Sequence, residues 1–104
     1  MFDFKQFQKM QQELQERMSK MEEELADKVT EASAGGGAVS VKINGKQQVV
    51  SVRISPEAVD PDDIEMLEDL VMAAINAAIE KSSELRENSM SKLTGGLKLP
   101  GMPF

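Results

Sequence analysis

The chain has 104 residues, with 18 acidic and 12 basic side chains and a formal net charge of −6. It contains no Cys, His, Trp or Tyr, which excludes zinc sites built on thiolate or imidazole, disulfides, and catalysis by Cys or His. The length predicts a single domain with a modest core. The net acidity argues against a uniformly basic nucleic-acid-binding surface.

The charge is distributed unevenly along the chain. Residues 1–32 have a net charge of −3 and residues 57–88 of −8, whereas residues 33–56 and 89–104 contain basic residues and no acid. The N-terminal sequence lacks the apolar run of a signal peptide, and the longest apolar stretch, residues 70–75, is too short to span a bilayer. We therefore expect a cytoplasmic protein that has no membrane partner.

The N-terminal segment has the periodicity of a long amphipathic helix. Apolar side chains recur every three or four residues and form one narrow stripe, made of Phe4, Phe7, Met10, Leu14, Met18, Met21, Leu25 and Val29. The intervening Gln, Glu, Lys and Arg are good helix formers, so we predict a helix over about residues 2–27. A narrow stripe is typical of a helix that packs on one neighbour or lies in a coiled-coil seam.

The middle of the chain has the alternating pattern of β-strands. Apolar and polar residues alternate over residues 39–43 and again over residues 50–54, which predicts two half-buried strands. The glycine run at residues 35–37 predicts a turn. A short strand over residues 29–33 would pair across that turn and complete a three-stranded antiparallel sheet.

The Asn-Gly dipeptide between the two alternating segments predicts a hairpin. A two-residue loop would pair apolar with polar residues. A loop over residues 44–47 instead places Val41 opposite Val50 and Val39 opposite Val52, which keeps the apolar side chains on one face, so we predict the longer loop. The opposite face then holds Ser40, Lys42, Ser51 and Arg53, with Val49.

A second helix is predicted to begin at Asp60-Pro61, since Asp is a good N-cap and Pro suits the first helical position. Its apolar arc is wide, which indicates two packing partners. The sheet supplies one, and a helix of a second subunit would supply the other. Candidate residues for this dimer interface are Leu67, Leu70, Val71, Ala74, Ile75 and Ala78.

The Gly- and Pro-rich residues 93–104 are predicted not to be helical. They follow a single α-β-β-β-α domain over residues 1–92. We expect a mobile tail or an apolar strap that orders on a partner.

Three patterns resemble functional sites but fit structural roles better. The acidic cluster over residues 60–69 lacks the Gly and Glu that an EF-hand loop requires, and it suits helix capping and a solvated face. The glycine run lacks the Lys of a P-loop and precedes a strand. The methionines of the first helix fit core or dimer packing better than a promiscuous binding surface. We therefore predict no metal, no cofactor, no small-molecule substrate and no enzymatic activity.

Motifs occur in a defined order along the chain: Ser33-Ala34-Gly35-Gly36-Gly37-Ala38-Val39, Asn44-Gly45-Lys46, Val52-Arg53-Ile54-Ser55-Pro56, Asp60-Pro61-Asp62-Asp63, Glu65-Met66-Leu67-Glu68-Asp69-Leu70, Ala73-Ala74, Asn76, Leu93-Thr94-Gly95-Gly96-Leu97 and Leu99-Pro100-Gly101. This series resembles the YbaB/EbfC family of bacterial nucleoid-associated proteins over nearly the whole chain. The resemblance implies an α+β protomer with a helix, three antiparallel strands and a helix. It also implies a homodimer with projecting helices, DNA binding without enzymatic activity, and roles in nucleoid organisation and gene regulation.

The resemblance supplies no compact motif of base-reading residues. On the distribution of basic side chains we expect phosphate contacts from Lys5, Lys9, Arg17, Lys20, Lys42, Lys46, Arg53, Lys92 and Lys98. Phosphate contacts predict binding to double-stranded DNA that is weakly sequence-specific and falls steeply with salt. The basic residues of the sheet segment also fit an ordinary exposed sheet face. The alternative function is a dimeric protein-interaction adaptor or chaperone-like clamp that uses the apolar stripe of the first helix and the tail.

Overall fold

The computed structural model describes residues 3–95, with side chains up to Leu93. The elements in chain order are helix α1 (Phe4–Asp27), strands β1 (Val29–Ala34), β2 (Val39–Asn44) and β3 (Val49–Ile54), a 3₁₀ turn (Pro56–Ala58) and helix α2 (Ile64–Gly95). The predicted α+β architecture is confirmed, and the least obvious strand, β1, pairs antiparallel with β2 across the glycine turn.

The N-cap of α2 lies one turn later than predicted. Asp63 Oδ1 accepts a hydrogen bond from the Met66 N–H at 3.2 Å, so Asp63 caps the helix. Asp60 caps the preceding turn instead, where its Oδ1 accepts from the Asp62 N–H at 2.9 Å. Pro61 therefore lies in that turn, where its fixed φ is also favourable.

Helix α2 also continues past the predicted end of the domain, through Gly95. A glycine is tolerated at this position because helices commonly end at or just before one. The prediction that residues 93–95 are not helical was wrong. Residues 96–104 of the predicted tail lie outside the described part of the chain.

A loop over residues 44–47 was predicted between β2 and β3, but the hydrogen bond that closes the loop joins Asn44 to Gln48 and encloses three residues, 45–47, with Gln48 lying just before the first residue of β3. Asn44 closes it: its N–H donates to Gln48 O at 3.0 Å, and its Oδ1 accepts from the N–H groups of Lys46 and Gln48 at 2.9 and 3.0 Å. Gln47 adopts φ 61°, the left-handed conformation that three-residue hairpin loops use. This side-chain network, rather than the apolar pattern, determines the length of the loop.

A β-bulge follows the loop and compensates for its odd length. Lys42 pairs with Ser51 and Ile43 with Val49, which leaves Val50 as the extra residue. Without the extra residue, a three-residue loop would turn the apolar side chains of β3 to the polar face. Val49, predicted on the polar face, instead pairs with Ile43.

Beyond the bulge, Val41 pairs with Val52 and Val39 with Ile54. The predicted pairing of Val41 with Val50 and of Val39 with Val52 was therefore wrong by two residues. An even shift leaves each side chain on its own face, so apart from Val49 the predicted division into an apolar and a polar face holds.

Helix α2 packs mainly over β1 and β2, and every residue of β3 is exposed. Its Ala74 and Ala78 are fully buried against the sheet, and their small side chains allow the helix axis to approach the strands closely. The core comprises Ala32, Val39, Val41, Ile43, Ala74 and Ala78. Since no helix covers β3, the side chains of Val52 and Ile54 are 48% and 39% exposed.

The two helices run antiparallel and project together from one end of the sheet. The Arg86 guanidinium donates to Glu22 Oε1 at 2.7 Å, and Leu25 is fully buried at the base of the pair. Ser82 Oγ donates to the Asn44 carbonyl at 2.7 Å, which holds α2 to the end of β2. The radius of gyration is 20.0 Å, whereas a compact domain of this length has about 13 Å.

Candidate nucleic-acid interface

A groove between α1 and α2 carries an excess of positive charge. Its lining comprises Arg17, Lys20, Met21, Glu24, Lys28, Ser89, Lys92 and Leu93. Four of these side chains are cationic and one is a carboxylate, so the lining carries three more positive than negative charges. We call this feature the basic groove. It lies near the base of the projecting helix pair.

Two pieces of the chain, residues 17–28 and residues 89–93, build the basic groove. Arg17 and Lys20 lie one turn apart on α1, and Lys28 directly follows the last residue of that helix. The Lys28 N–H donates to the Glu24 and Leu25 carbonyls at 3.2 and 3.3 Å, which fixes its backbone against the helix end. Antiparallel packing then brings Lys92 to the same groove.

Lys28 was not among the predicted contacts. In the sequence it is the only basic residue among the five acids of residues 22–31, so it appears as part of an acidic segment. The signal that would have identified it is the antiparallel pairing of the helices, which places the end of α1 beside the last turns of α2. Arg17, Lys20 and Lys92 were predicted, and the structure brings these three together.

Lys5 and Lys9 lie on α1 beyond the basic groove and are exposed. At 100° per residue, Glu13 and Glu16 fall on the same arc of the helix as these two lysines. The N-terminal half of α1 therefore has no local excess of positive charge.

Lys42 and Arg53 lie on the polar face of the sheet, away from α2. Lys42 is opposite Glu31 of β1, and Arg53 is opposite Ser40. The carboxylate of Glu31 in β1 thus lies beside Lys42, although residues 33–56, which include Lys42, contain no acid. This face is less basic than the sequence of residues 33–56 indicates.

Lys46 lies in the β2–β3 loop at the base of the helix pair. The preceding Gly45 N–H donates to the Leu25 and Lys28 carbonyls at 2.8 and 3.0 Å. A Cβ at Gly45 would lie 2.5 Å from Leu25 Cδ2, so only glycine allows this contact between loop and helix. Lys98 lies outside the described residues.

Of the predicted dimer-interface residues, the structure places Ala74 and Ala78 in the protomer core, where they offer no exposed surface. Leu70 lies against the glycine turn, partly buried. The remaining three, Leu67, Val71 and Ile75, are partly buried. Together with Glu68, Met72 and Asn76 they line a shallow groove on α2.

Within residues 3–95, no cluster of three or more carboxylates is arranged to hold a metal ion. None of the described helices combines the length and apolar character needed to cross a membrane. The chemistry that the basic groove offers is electrostatic attraction and hydrogen-bond donation to anionic oxygens, for which Lys and Arg are suited.

The sequence profile of the YbaB/EbfC DNA-binding family matches residues 1–97. The chain belongs to the YbaB/EbfC DNA-binding family. This is a family of DNA-binding proteins rather than of enzymes. The resemblance inferred from the ordered motifs is thereby confirmed.

Relatives within the YbaB/EbfC family share about half of their residues with this chain. A nucleoid-associated protein of Clostridium novyi is 55% identical over 94 residues, which are 90% of this chain and 82% of the relative. A nucleoid-associated protein of Chloroflexus aurantiacus is 53% identical over 94 residues, 90% of this chain and 94% of the relative. The crystal structure of an uncharacterized protein from Helicobacter pylori has the same fold, with a TM-score of 0.81 and 27% identity over 91% of this chain and 100% of that one.

Proposed function

We propose that this protein binds double-stranded DNA with low sequence specificity through the basic groove. It would act as a homodimer in the cytoplasm, on the nucleoid, and influence nucleoid organisation and gene expression. The observation that carries the proposal is the local positive excess of the groove in a chain of net charge −6. Membership of a DNA-binding family and the nucleoid-associated names of the relatives support it.

The composition of the groove explains the low specificity. Lys20, Lys28 and Lys92 are point charges that suit phosphate oxygens, and phosphate contacts carry no sequence information. Arg17 alone among the four basic side chains has the planar fork that reads guanine in the major groove. One such side chain per protomer gives at most a weak base preference. Lys5, Lys9 and Lys46 would extend the phosphate contacts to either side of the groove.

Fluorescence anisotropy with short labelled duplexes tests this proposal. We expect similar dissociation constants for A·T-rich, G·C-rich and mixed duplexes, and a steep loss of affinity with rising salt. Affinity that is independent of salt would refute the electrostatic mechanism. A difference of 1,000-fold or more between duplexes, typical of sequence-specific proteins, would refute the low specificity.

We propose that the second subunit binds on a surface formed by β3 and the adjacent side of α2, called the β3–α2 surface and made of Val52, Ile54, Leu67, Val71 and Ile75. Val52 and Ile54 lie on the same face of the sheet as α2, in the part beyond β2 that α2 does not cover. Ser82 and Ser83 contact the end of β2 and the β2–β3 loop. Ile75 and Val71 lie two and three turns before Ser82 on the same side of the helix, so they border the uncovered strand.

Helix α2 of a second subunit, packed on the β3–α2 surface, would cover the exposed apolar side chains of β3. It would also be the second packing partner that the wide apolar arc of α2 predicts, the sheet being the first. Val52→Asp would place a charge in this interface, and we expect a monomer by sedimentation velocity. Ser51→Asp is the matched control, because it introduces the same charge on the opposite face of the same strand. A dimer that survives Val52→Asp, or dissociates equally in both variants, contradicts this interface.

The adaptor function remains the second candidate, and the exposed apolar residues of α1 favour it. Met10 and Leu14 are 65% and 42% exposed, a surface that DNA binding does not use. If the folded, dimeric protein does not bind DNA at low salt, the adaptor function takes precedence. Binding at low salt that is lost on adding salt supports the DNA-binding function.

A further inference from the structure

Helix α1 extends beyond the end of α2. The ion pair between Glu22 and Arg86 sets the two antiparallel helices in register. Nine residues separate Arg86 from the last helical residue, Gly95, so α2 ends about level with Glu13 of α1. At 1.5 Å per residue, the first turns of α1 then project about 13 Å further.

The apolar stripe of α1 continues into this projecting part. Its C-terminal residues Met21 and Leu25 are buried at the base of the helix pair. Its N-terminal residues Phe4, Met10 and Leu14 lie on the same face, within about 120° of the helix circumference, and are exposed. Phe4 is 63% exposed. The stripe is therefore buried at the base of the helix pair, about 40% exposed at Met18 and Leu14 beside the last turns of α2, and most exposed at Phe4 and Met10, past the end of α2.

We propose that residues 96–104 of the same chain cover this exposed part of α1. The segment follows Gly95 directly, so it is attached about level with Glu13, next to the most exposed residues of the stripe. Nine residues span up to about 30 Å when extended, which is more than twice the length of α1 to be covered. The segment carries four large apolar side chains to place on the stripe, Leu97, Leu99, Met102 and Phe104.

The size of the exposed stripe favours this occupant over a second copy of the chain. A stable interface between proteins buries roughly 800 Å² on each partner, and a few half-exposed side chains on one helix provide much less. A tethered segment binds at an effective concentration in the millimolar range, so a small apolar contact is sufficient. The proposal does not depend on DNA binding or on the β3–α2 surface.

Covering the stripe has a consequence for α1. The first turns of an isolated helix fray, because their N–H groups lack partners and no side chains pack on them. A segment packed on Phe4 and Met10 would hold these turns in helical form. It would also fix the position of Lys5 and Lys9 relative to the rest of the protein.

The chain has no cysteine, so a nitroxide spin label can be attached at a single introduced site, Pro103→Cys. In the full-length protein we expect the label to broaden the amide signals of residues 4–10 and to leave those of the glycine turn at residues 35–37 sharp. In a mixed sample, isotope-labelled chains without the nitroxide report contacts between chains. Broadening that appears equally in the mixed sample means that a second copy is the occupant, and overturns the proposal.

Hydrogen exchange provides the second readout. Leu99→Ser with Phe104→Ser removes two of the apolar side chains, and we expect the amides of residues 7–12 to exchange about tenfold faster or more. Lys98→Ser is the matched control in the same segment and should change nothing. The spin-label broadening should also weaken in the double variant. Unchanged exchange and unchanged broadening in that variant would overturn the proposal.

Discussion

The basic groove predicts how the salt dependence of DNA binding responds to mutation. Four cationic side chains line it. If each contacts one phosphate, the logarithm of the association constant falls with the logarithm of salt with a slope of about −3.6 per protomer. Between 50 and 200 mM salt, that slope amounts to a loss of about 150-fold in affinity. In a dimer that uses both grooves, the slope doubles.

Lys20→Gln with Lys92→Gln removes two of the four charges while preserving long, polar side chains. We expect the slope to fall to about −1.8 per protomer, so that the same change in salt costs only about 12-fold. Affinity at low salt should fall for all duplex sequences alike, because phosphate contacts carry no sequence information. The assay is fluorescence anisotropy over a salt series, with circular dichroism to confirm that the fold is unchanged.

Lys42→Gln with Arg53→Gln is the matched comparison, since it removes two positive charges from the polar face of the sheet. Lys42 lies opposite Glu31 there, so we expect this pair to change the slope less. If the sheet variant lowers the slope as much as the groove variant, or if the groove variant keeps the wild-type slope, the groove is not the main DNA contact.

Three further predictions concern stability, each measured by urea denaturation. Gly35→Ala should destabilise the fold by about 2–3 kcal/mol, since φ is +65° and the new Cβ would lie 2.8 Å from Leu70 Cδ2 of α2. Gly36→Ala, at φ +66° with open space around it, should cost only about 1–2 kcal/mol. Equal losses in the two variants would refute the steric argument. Ser82→Ala should cost about 0.5–1.5 kcal/mol, because it removes a buried hydrogen bond to the Asn44 carbonyl, which keeps the Gln47 N–H as a second donor, whereas Ser83→Ala, with an exposed partner, should cost less. Arg86→Met should cost less than about 1 kcal/mol, because the ion pair with α1 is partly solvated, and a larger loss would show that it determines how the helices pack.

The order and type of the elements could be predicted from local patterns. The stripe of α1 and the alternation of residues 39–43 each mark one apolar face, and the structure has a helix and a strand there, although only Met21 and Leu25 of the helical stripe are buried. The hairpin register could not be predicted in the same way, since any even shift satisfies the alternation. It depends instead on Asn44, whose side chain closes a three-residue loop, and on Val50, which the bulge leaves without a partner.

The candidate site was harder to predict than the fold, because its residues come together only through tertiary packing. Arg17 and Lys20 were identified from charge alone, but so were Lys42 and Arg53, and only the strand register shows the acid beside Lys42. The alanines of α2 show the same limit. Small side chains indicate close approach to a neighbour, yet the pattern cannot distinguish a sheet from a second subunit, and Ala74 and Ala78 approach the sheet.

The six acids of the cluster at residues 60–69 lie far from the basic groove, so much of the net charge of −6 does not act on it. The acidic cluster lies around the start of α2, up to Asp69, and Lys92 lies near its end. Twenty-three residues of helix separate them, or about 35 Å. That distance is more than three Debye lengths at 0.1 M salt, so exposed charges at the two ends are largely screened from one another. A phosphate in the groove is therefore screened from this cluster, and the groove itself is lined by four cations and one carboxylate.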